Sequence, residues 1–387
     1  MDYVPYGRQS IDENDIKAVV DVLRSDFLTQ GPAVERFEEA VGDVADAAHC
    51  VAVNSATSAL HIACLALEVG AGDWVWTSPN SFVASANCAL YCGARVDFVD
   101  IDPATFNMCP QALVRKLEQA EAAGRLPKVV IPVHLCGQPC RMDEIGALAK
   151  RYGFKIIEDA SHAIGGQYQG RPIGACDYSD ITVFSFHPVK IVTTGEGGCA
   201  TTQNEQLAER MRLLRSHGIT RDERKMTEPS HGPWYYQQID LGMNYRMTEL
   251  QAALGKSQMT RLESFVARRH VLASRYDDGL RSLPLDLPFR HADAYSGFHL
   301  YVIQLRLDQI RHTHREVFDE LRQKRIGVNL HYIPIYLQPF YRQMGFDPGY
   351  CPEAERYYSR SISIPLYHDM TELQQDRVMN VIEQALR

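Results

Sequence analysis

The stretch 185–198, SFHPVKIVTTGEGG, sets a single lysine, Lys190, between an apolar run that ends in the hydroxyl of Ser185 and a threonine pair with three glycines. A free lysine titrates near pH ~10.4 and is a solvated cation at neutral pH, so one used as a nucleophile must first lose its proton. A second candidate, Asp159, ends the run FKIIED. A carboxylate there is costly to bury without a donor or cationic partner, and read locally it fits a functional pairing or a cap on the next turn equally well. A third group is Ala56, Thr57 and Ser58 of VNSATSALH. They open a helix-period segment directly after a strand, where free N–H groups, hydroxyls and the helix dipole favour a phosphate, or merely cap the helix. Taken together, a lysine, a strand-end aspartate and a phosphate cradle to which Ser185 adds a hydroxyl fit pyridoxal phosphate. The lysine would form a Schiff base, the carboxylate would keep the pyridine nitrogen protonated, and the cradle would anchor the phosphate.

Such residues need strands that end together. Apolar runs (CVAVN, KVVIPVH, FKII, DITVF) alternate with helix-period segments over the first two-thirds of the chain. That alternation predicts an α/β fold with a mostly parallel sheet, whose ligands gather beyond the carboxyl ends of the strands. At 387 residues the chain exceeds one typical core. From about residue 251 the texture changes to a long amphipathic segment, a proline-rich stretch, a strand in GFHLYVIQLRL, a helix from Thr313 to Lys324 and the loop GVNLHYIPIYLQPFY. We read 1–250 as an N-terminal segment with a large domain and 251–387 as a smaller C-terminal α/β domain.

Other chemistries fit poorly. A net charge of -8 and a pI near 6.0 argue against a nucleic-acid surface. The ten cysteines form no CxxC pair, and neither a G-x-S-x-G elbow nor H-E-x-x-H occurs. No metal site is expected, and His312 and His314 read as solvated. The first residues, MDYVPYGRQSIDENDIK, carry acids and no apolar core, and no membrane-length apolar run follows, so the expectation is a cytoplasmic protein without a membrane partner. Gly195, Gly197 and Ala200 match the dinucleotide pattern G-x-G-x-x-A, with Asp222 as ribose acid. That pattern needs a helix opening inside the glycine turn, whereas GCATT reads as a strand and the next helix as starting at Asn204.

The motifs LTQGP, NSATSAL, PNSFVASANCALYCGA, PVHLCGQPCRMDEI, IIEDASHAIGG, SFHPVKIVTTGEGG and LGMNYRMTELQAALG occur in this order over nearly the whole chain. In this the sequence resembles the DegT/DnrJ/EryC1/StrS family of fold-type I pyridoxal phosphate aminotransferases acting on nucleotide-linked keto sugars. The resemblance implies pyridoxal 5'-phosphate held on Lys190 as an internal aldimine, with Lys190 later moving the proton between substrate and cofactor. It implies Asp159 at the pyridine nitrogen, Phe82 stacked on the ring and His162 beside the phenolic oxygen. Ala56, Thr57 and Ser185 would hold the phosphate, with Asn244 arriving from a second subunit of a homodimer. Many relatives carry N-G-T where Ser55-Ala56-Thr57 stands, and glutamine in place of His162; neither change removes a needed donor.

Within the family, VNSATSALHIAC, VWTSPNSFVASANCALYCGA, LLRSHGITRD, HGPWYYQQIDLGMNYR and GVNLHYIPIYLQPFY resemble the branch that serves pseudaminic acid biosynthesis. The implied reaction moves an amino group from L-glutamate to C4 of a UDP-linked 4-keto-6-deoxy-N-acetylhexosamine. Tyr6, Thr29, Arg246 and His331 lie in motifs that line the sugar-nucleotide site in relatives, and Arg246 suits a diphosphate because a guanidinium binds it in bidentate fashion. Alternatives are an aminotransferase for another 3- or 4-keto sugar nucleotide, or a non-catalytic sensor of the cofactor or of a sugar nucleotide.

Overall fold

The structure, a computed structural model, describes residues 2–387. Its strands begin with β1 (His49–Val53), β2 (Trp74–Thr77), β3 (Arg95–Phe98), β4 (Val129–Ile131) and β5 (Lys155–Asp159). A short hairpin, β6 (Gln167–Tyr168) and β7 (Arg171–Pro172), precedes β8 (Ile181–Ser185) and β9 (Gly198–Thr202). Seven of these form one sheet in the order β1-β9-β8-β5-β4-β2-β3. Only β9 runs against its neighbours, β8 and β1. The sheet is therefore mostly parallel, and its apolar runs are buried because helices cover both faces.

Helices α1 (Glu13–Leu23), α2 (Pro32–Ala45), α3 (Ala56–Ala66) and α4 (Ala84–Tyr91) belong to the first half. Then come α5 (Pro110–Ala122), α6 (Met142–Tyr152) and α7 (Glu205–Leu214), the last capped by the side chain of Asn204 as its sequence predicts. The expected amphipathic segment beyond residue 250 is two helices, α8 (Glu249–Met259) and α9 (Leu262–Leu280), broken at Thr260–Arg261. Arg261 is held there by Asp12 and Asp15. Buried Glu249, at the start of α8, accepts from the N–H groups of Ala33 (2.7 Å) and Val34 (3.3 Å) and so caps α2, which fixes the LTQGP loop.

Beyond α9, Leu285–Asp286, Tyr301–Leu305 and Ser361–Ile364 form a three-stranded antiparallel sheet. It packs with helices α10 (His314–Gln323, capped by Thr313) and Glu372–Leu386 around Leu272, Tyr276, Ile303 and Val378. The N-terminal segment joins this part: Gly327 donates to Val4 O at 2.6 Å and Leu366 to Tyr6 O at 3.0 Å.

Three register pairs fix the level of the candidate site. Gly198 stands opposite both Val53 and Ser185, and Asp159 stands opposite Val183. Because β1, β5 and β8 are parallel, Val53, Asp159 and Ser185 all close the same edge of the sheet.

Candidate active site

Lys190 sits on the loop between β8 and β9. Phe186 N–H donates to Gly197 O (2.9 Å) and Thr194 N–H to Phe186 O (2.9 Å), so the loop is pinched at its base and Lys190 lies near its tip. Burial brings the amine down to about 8, against the opposing pull of Asp159 and then of Cys136. The lowered value raises the share of free amine at a given pH.

Asp159 is buried, and each of its oxygens has a donor: Ser85 Oγ gives to Oδ2 at 2.6 Å and Ser161 N–H to Oδ1 at 3.1 Å. The aspartate thus caps the following turn, and its remaining lone pairs leave room for a cationic N–H. His162 is buried one turn further on. Its Nδ1 accepts the N–H of Cys136 at 3.2 Å, so the ring proton sits on Nε2, 3.4 Å from Tyr332 Oη. Burial, followed by the charge of Lys190, holds His162 well below its ordinary value and therefore neutral. A second neutral imidazole, His299, packs with its ring centre 4.4 Å from that of His162, and its buried Nδ1 has no hydrogen-bond partner among the described residues.

The cradle is built at the start of α3. Ser55 caps the helix, its Oγ taking the N–H of Ser58 (3.1 Å) and its carbonyl that of Ala59 (3.0 Å). Among the described residues no acceptor meets the N–H groups of Ala56 and Thr57, and the hydroxyls of Thr57 and Ser185 have no partner either. A Cβ on Gly198 would lie 2.4 Å from Ala56 N, so only glycine lets β9 pass so close. Two N–H groups, two hydroxyls and a helix N-terminus, at the sheet edge that also carries buried Asp159 and the Lys190 loop, fit the phosphate of pyridoxal phosphate, and the lysine and the carboxylate fit its imine carbon and ring nitrogen.

The other expected residues lie as follows. Phe82 is 59% exposed, its ring centre 6.3 Å from that of Tyr332. His331 is buried, bonds Ser363 Oγ through Nδ1 at 2.8 Å and is lowered to about 3 by burial and then by Lys190. Tyr6 is half-buried with its ring centre 5.5 Å from that of His331. Asn244 and Thr29 are exposed, and Arg246 is half-buried without a carboxylate partner among the described residues. The segment carrying Asn244 and Arg246 runs beside β1, where Asn54 N–H donates to Tyr245 O at 2.8 Å. No hydrogen bond among the described residues joins the side chains of Thr29, Asn244 or Arg246 to the group around Lys190.

Ser85, Cys136, His299 and Tyr332 complete this group and were not singled out by motif. They lie inside the segments PNSFVASANCALYCGA, PVHLCGQPCRMDEI, GFHLYVIQLRL and GVNLHYIPIYLQPFY, but nothing in their local sequence marks them. The dinucleotide reading fails on geometry: Gly198–Thr202 is strand, no helix opens in the glycine turn, and Asp222 caps a turn by accepting from Arg224 N–H. His312 and His314 bond the carbonyls of Ala385 (3.1 Å) and Ser361 (2.9 Å). No metal-binding cluster occurs among the described residues, and no helix is long and apolar enough to cross a membrane.

Comparison with known proteins agrees with this reading. Residues 9–383 match the model of the DegT/DnrJ/EryC1/StrS aminotransferase family. The spore coat polysaccharide biosynthesis protein SpsC of Bacillus subtilis is 38% identical over 388 residues, covering 100% of this chain and 97% of that protein. Among solved structures, Helicobacter pylori PseC, an aminotransferase involved in the biosynthesis of pseudoaminic acid, superposes with a TM-score of 0.91 at 28% identity over 100% of this chain and 99% of its own. The PLP form of Spr1654 of Streptococcus pneumoniae superposes with a TM-score of 0.89 at 29% identity over 99% and 98%.

Proposed function

From the premise that this chain belongs to the DegT/DnrJ/EryC1/StrS aminotransferase family and is a pyridoxal phosphate-dependent sugar aminotransferase of fold type I, we propose that it transfers the amino group of L-glutamate to C4 of a UDP-linked 4-keto-6-deoxy-N-acetylhexosamine. The observation that carries the chemistry is Lys190 brought down to about 8 beside buried Asp159 and an unpaired cradle. Likeness to PseC and the segments HGPWYYQQIDLGMNYR and GVNLHYIPIYLQPFY support the substrate.

When bound, pyridoxal phosphate would supply an electron-accepting ring and an aldehyde carbon able to carry an amino group. The N–H groups of Ala56 and Thr57, with the hydroxyls of Thr57 and Ser185, would bind its phosphate. Asp159 would hold a proton on the ring nitrogen, and His162 Nε2–H would donate toward the phenolic oxygen. Phe82 covers the ring, and its exposure leaves it free to do so. Lys190 would hold the cofactor through its amine, and the same amine would carry the proton between the substrate carbon and the cofactor.

The same reading divides the chain into 1–250 and 251–387 and makes it a cytoplasmic homodimer with shared sites. Asn244 would reach the partner's phosphate, and Tyr6, Thr29, Arg246 and His331 would line the sugar-nucleotide pocket, with Arg246 on the diphosphate. Exposed Trp234, Tyr236, Ile239 and Leu241, just before Asn244, are the kind of apolar patch that a second copy covers. The test is product identification by NMR after incubation with L-glutamate and the UDP-linked keto sugar. A C4 amine of defined stereochemistry is expected. Amination only of other 3- or 4-keto sugar nucleotides overturns the substrate, and a visible cofactor band unmoved by L-glutamate would falsify the choice of donor.

A further inference from the structure

Behind Asp159 lies a buried acid that the proposed chemistry does not use. Adjacent strand residues project to opposite faces, so Glu158 and Asp159 lie on opposite faces of β5. Glu158 stands in register with Thr182 and accepts hydrogen bonds from His134 Nε2 (2.7 Å), Ser179 Oγ (2.5 Å) and Thr182 Oγ1 (3.2 Å). Burial opposes the charge of this carboxyl, but the bond from His134, followed by those from Ser179 and Thr182, holds it below its usual range. His134 is fully buried. Burial lowers its imidazole, and neighbouring Cys140 and Glu158 outweigh that and favour protonation. However, the N–H of Cys140 donates to Nδ1 at 3.1 Å, which leaves that nitrogen as an acceptor and the ring proton on Nε2, facing Glu158.

His134 also starts the turn that reaches the site. Its own N–H donates to Asp159 O at 3.0 Å, and two residues later Cys136 N–H donates to His162 Nδ1. Cys136 has a left-handed backbone (φ 61), and a Cβ on the next residue, Gly137, would lie 2.7 Å from Phe298 N and 2.9 Å from His162 O. The turn is thus wedged between His162 and the Gly297–Phe298 backbone. On its outer side Asn107 accepts Leu135 N–H (3.0 Å) and donates to Gln138 O (2.8 Å). A change at His134 therefore loosens the turn without releasing it.

We propose that His134, locked by Glu158 on the far face of the sheet, is a positioning residue that holds the 134–137 turn so that Cys136 N–H occupies His162 Nδ1 and His162 presents Nε2–H to the cofactor. This rests on the placement of His162 beside the phenolic oxygen given above. It assigns the Glu158–His134 pair a part in the tautomer and aim of a side chain that neither of them touches.

The test uses the holoenzyme and its variants His134→Asn, Glu158→Gln and His162→Ala. An asparagine can still accept from Cys140 N–H but cannot reach Glu158, and Glu158→Gln keeps the shape while removing the charge. Three readouts are taken: the pH midpoint of the visible cofactor band, the tautomer of the His162 ring from long-range proton–nitrogen correlation spectra, and the apparent Kd for pyridoxal phosphate. His134→Asn and Glu158→Gln are expected to move the midpoint by about half a pH unit or more in the direction that His162→Ala moves it, and to weaken the Nε2–H signal of His162. Cofactor affinity should stay within about threefold, because the cradle is on α3 and β8, while kcat falls about tenfold at little cost in KM. If His162→Ala moves the band but both other variants leave it and the tautomer at the wild-type values, the positioning inference is wrong. If His162→Ala itself leaves the band in place, the placement of His162 fails and takes this inference with it. Should His134→Asn not fold, Glu158→Gln decides alone.

Discussion

Ser85 Oγ donates to Asp159 Oδ2 at 2.6 Å, tying the first turn of α4 to the end of β5. Asp159 and Ser85 are both buried, so this bond lies where a charge-assisted hydrogen bond contributes about 1.5–3 kcal/mol. Ser85→Ala leaves the carboxylate one donor short and should lower kcat about tenfold with a small change in KM. Asp159→Asn removes the charge itself and should cost about a thousandfold. Steady-state rates with saturating L-glutamate check both, and a Ser85→Ala enzyme as fast as wild type would show that the bond serves only the fold.

Lys190→Ala should abolish the L-glutamate half-reaction, with a loss of about a thousandfold or more, while the unpaired cradle still binds pyridoxal phosphate. Absorbance spectroscopy separates the two effects. A variant that still turned over at the wild-type rate would remove Lys190 from the chemistry.

Burial brings the amine of Lys190 down to about 8, below an ordinary lysine. A lowered value in a base means more free amine at a given pH, so the rate of capture of pyridoxal phosphate by the cofactor-free protein should rise with pH and level off above about 8. A stopped-flow pH series measures this. A rate still climbing steeply past pH ~10 would mean that burial does not depress the group.

Gly198→Ala puts a methyl group 2.4 Å from Ala56 N and 2.6 Å from Ala56 Cα, both backbone atoms that cannot turn aside. The start of α3 must shift. We expect a loss of about 1–3 kcal/mol in stability and a larger loss in affinity for the cofactor phosphate. Thermal unfolding with and without pyridoxal phosphate tests this, since the cofactor-dependent gain in Tm should shrink.

Arg246→Ala should raise KM for the sugar nucleotide about tenfold or more and leave the L-glutamate half-reaction near wild type, because a guanidinium on a diphosphate acts through binding. Equal damage to both half-reactions would remove Arg246 from the nucleotide.

Much of this could be read from the chain alone. Alternating apolar runs and helix-period segments are local signals of burial, and they foretold the parallel sheet, the strand at Gly198–Thr202 and the helix capped by Asn204. The break at Thr260–Arg261 was invisible because the apolar pattern continues through it. What marks the break is Arg261, held by Asp12 and Asp15 some 250 positions earlier.

The chemical vocabulary of this protein was written in short motifs: a lone lysine before a glycine turn, an aspartate ending an apolar strand, and serine and threonine opening a helix. Residue type and position relative to a strand end are enough for that, because each group's intrinsic chemistry is local. Only the tertiary structure decided that both oxygens of Asp159 are engaged, that Gly198 must be bare to let β9 pass Ala56, and that His162 carries its proton on Nε2. Those facts depend on strand register and on turns packed against distant segments, and hydrogen bonds across 26 or 74 positions leave no trace in local sequence.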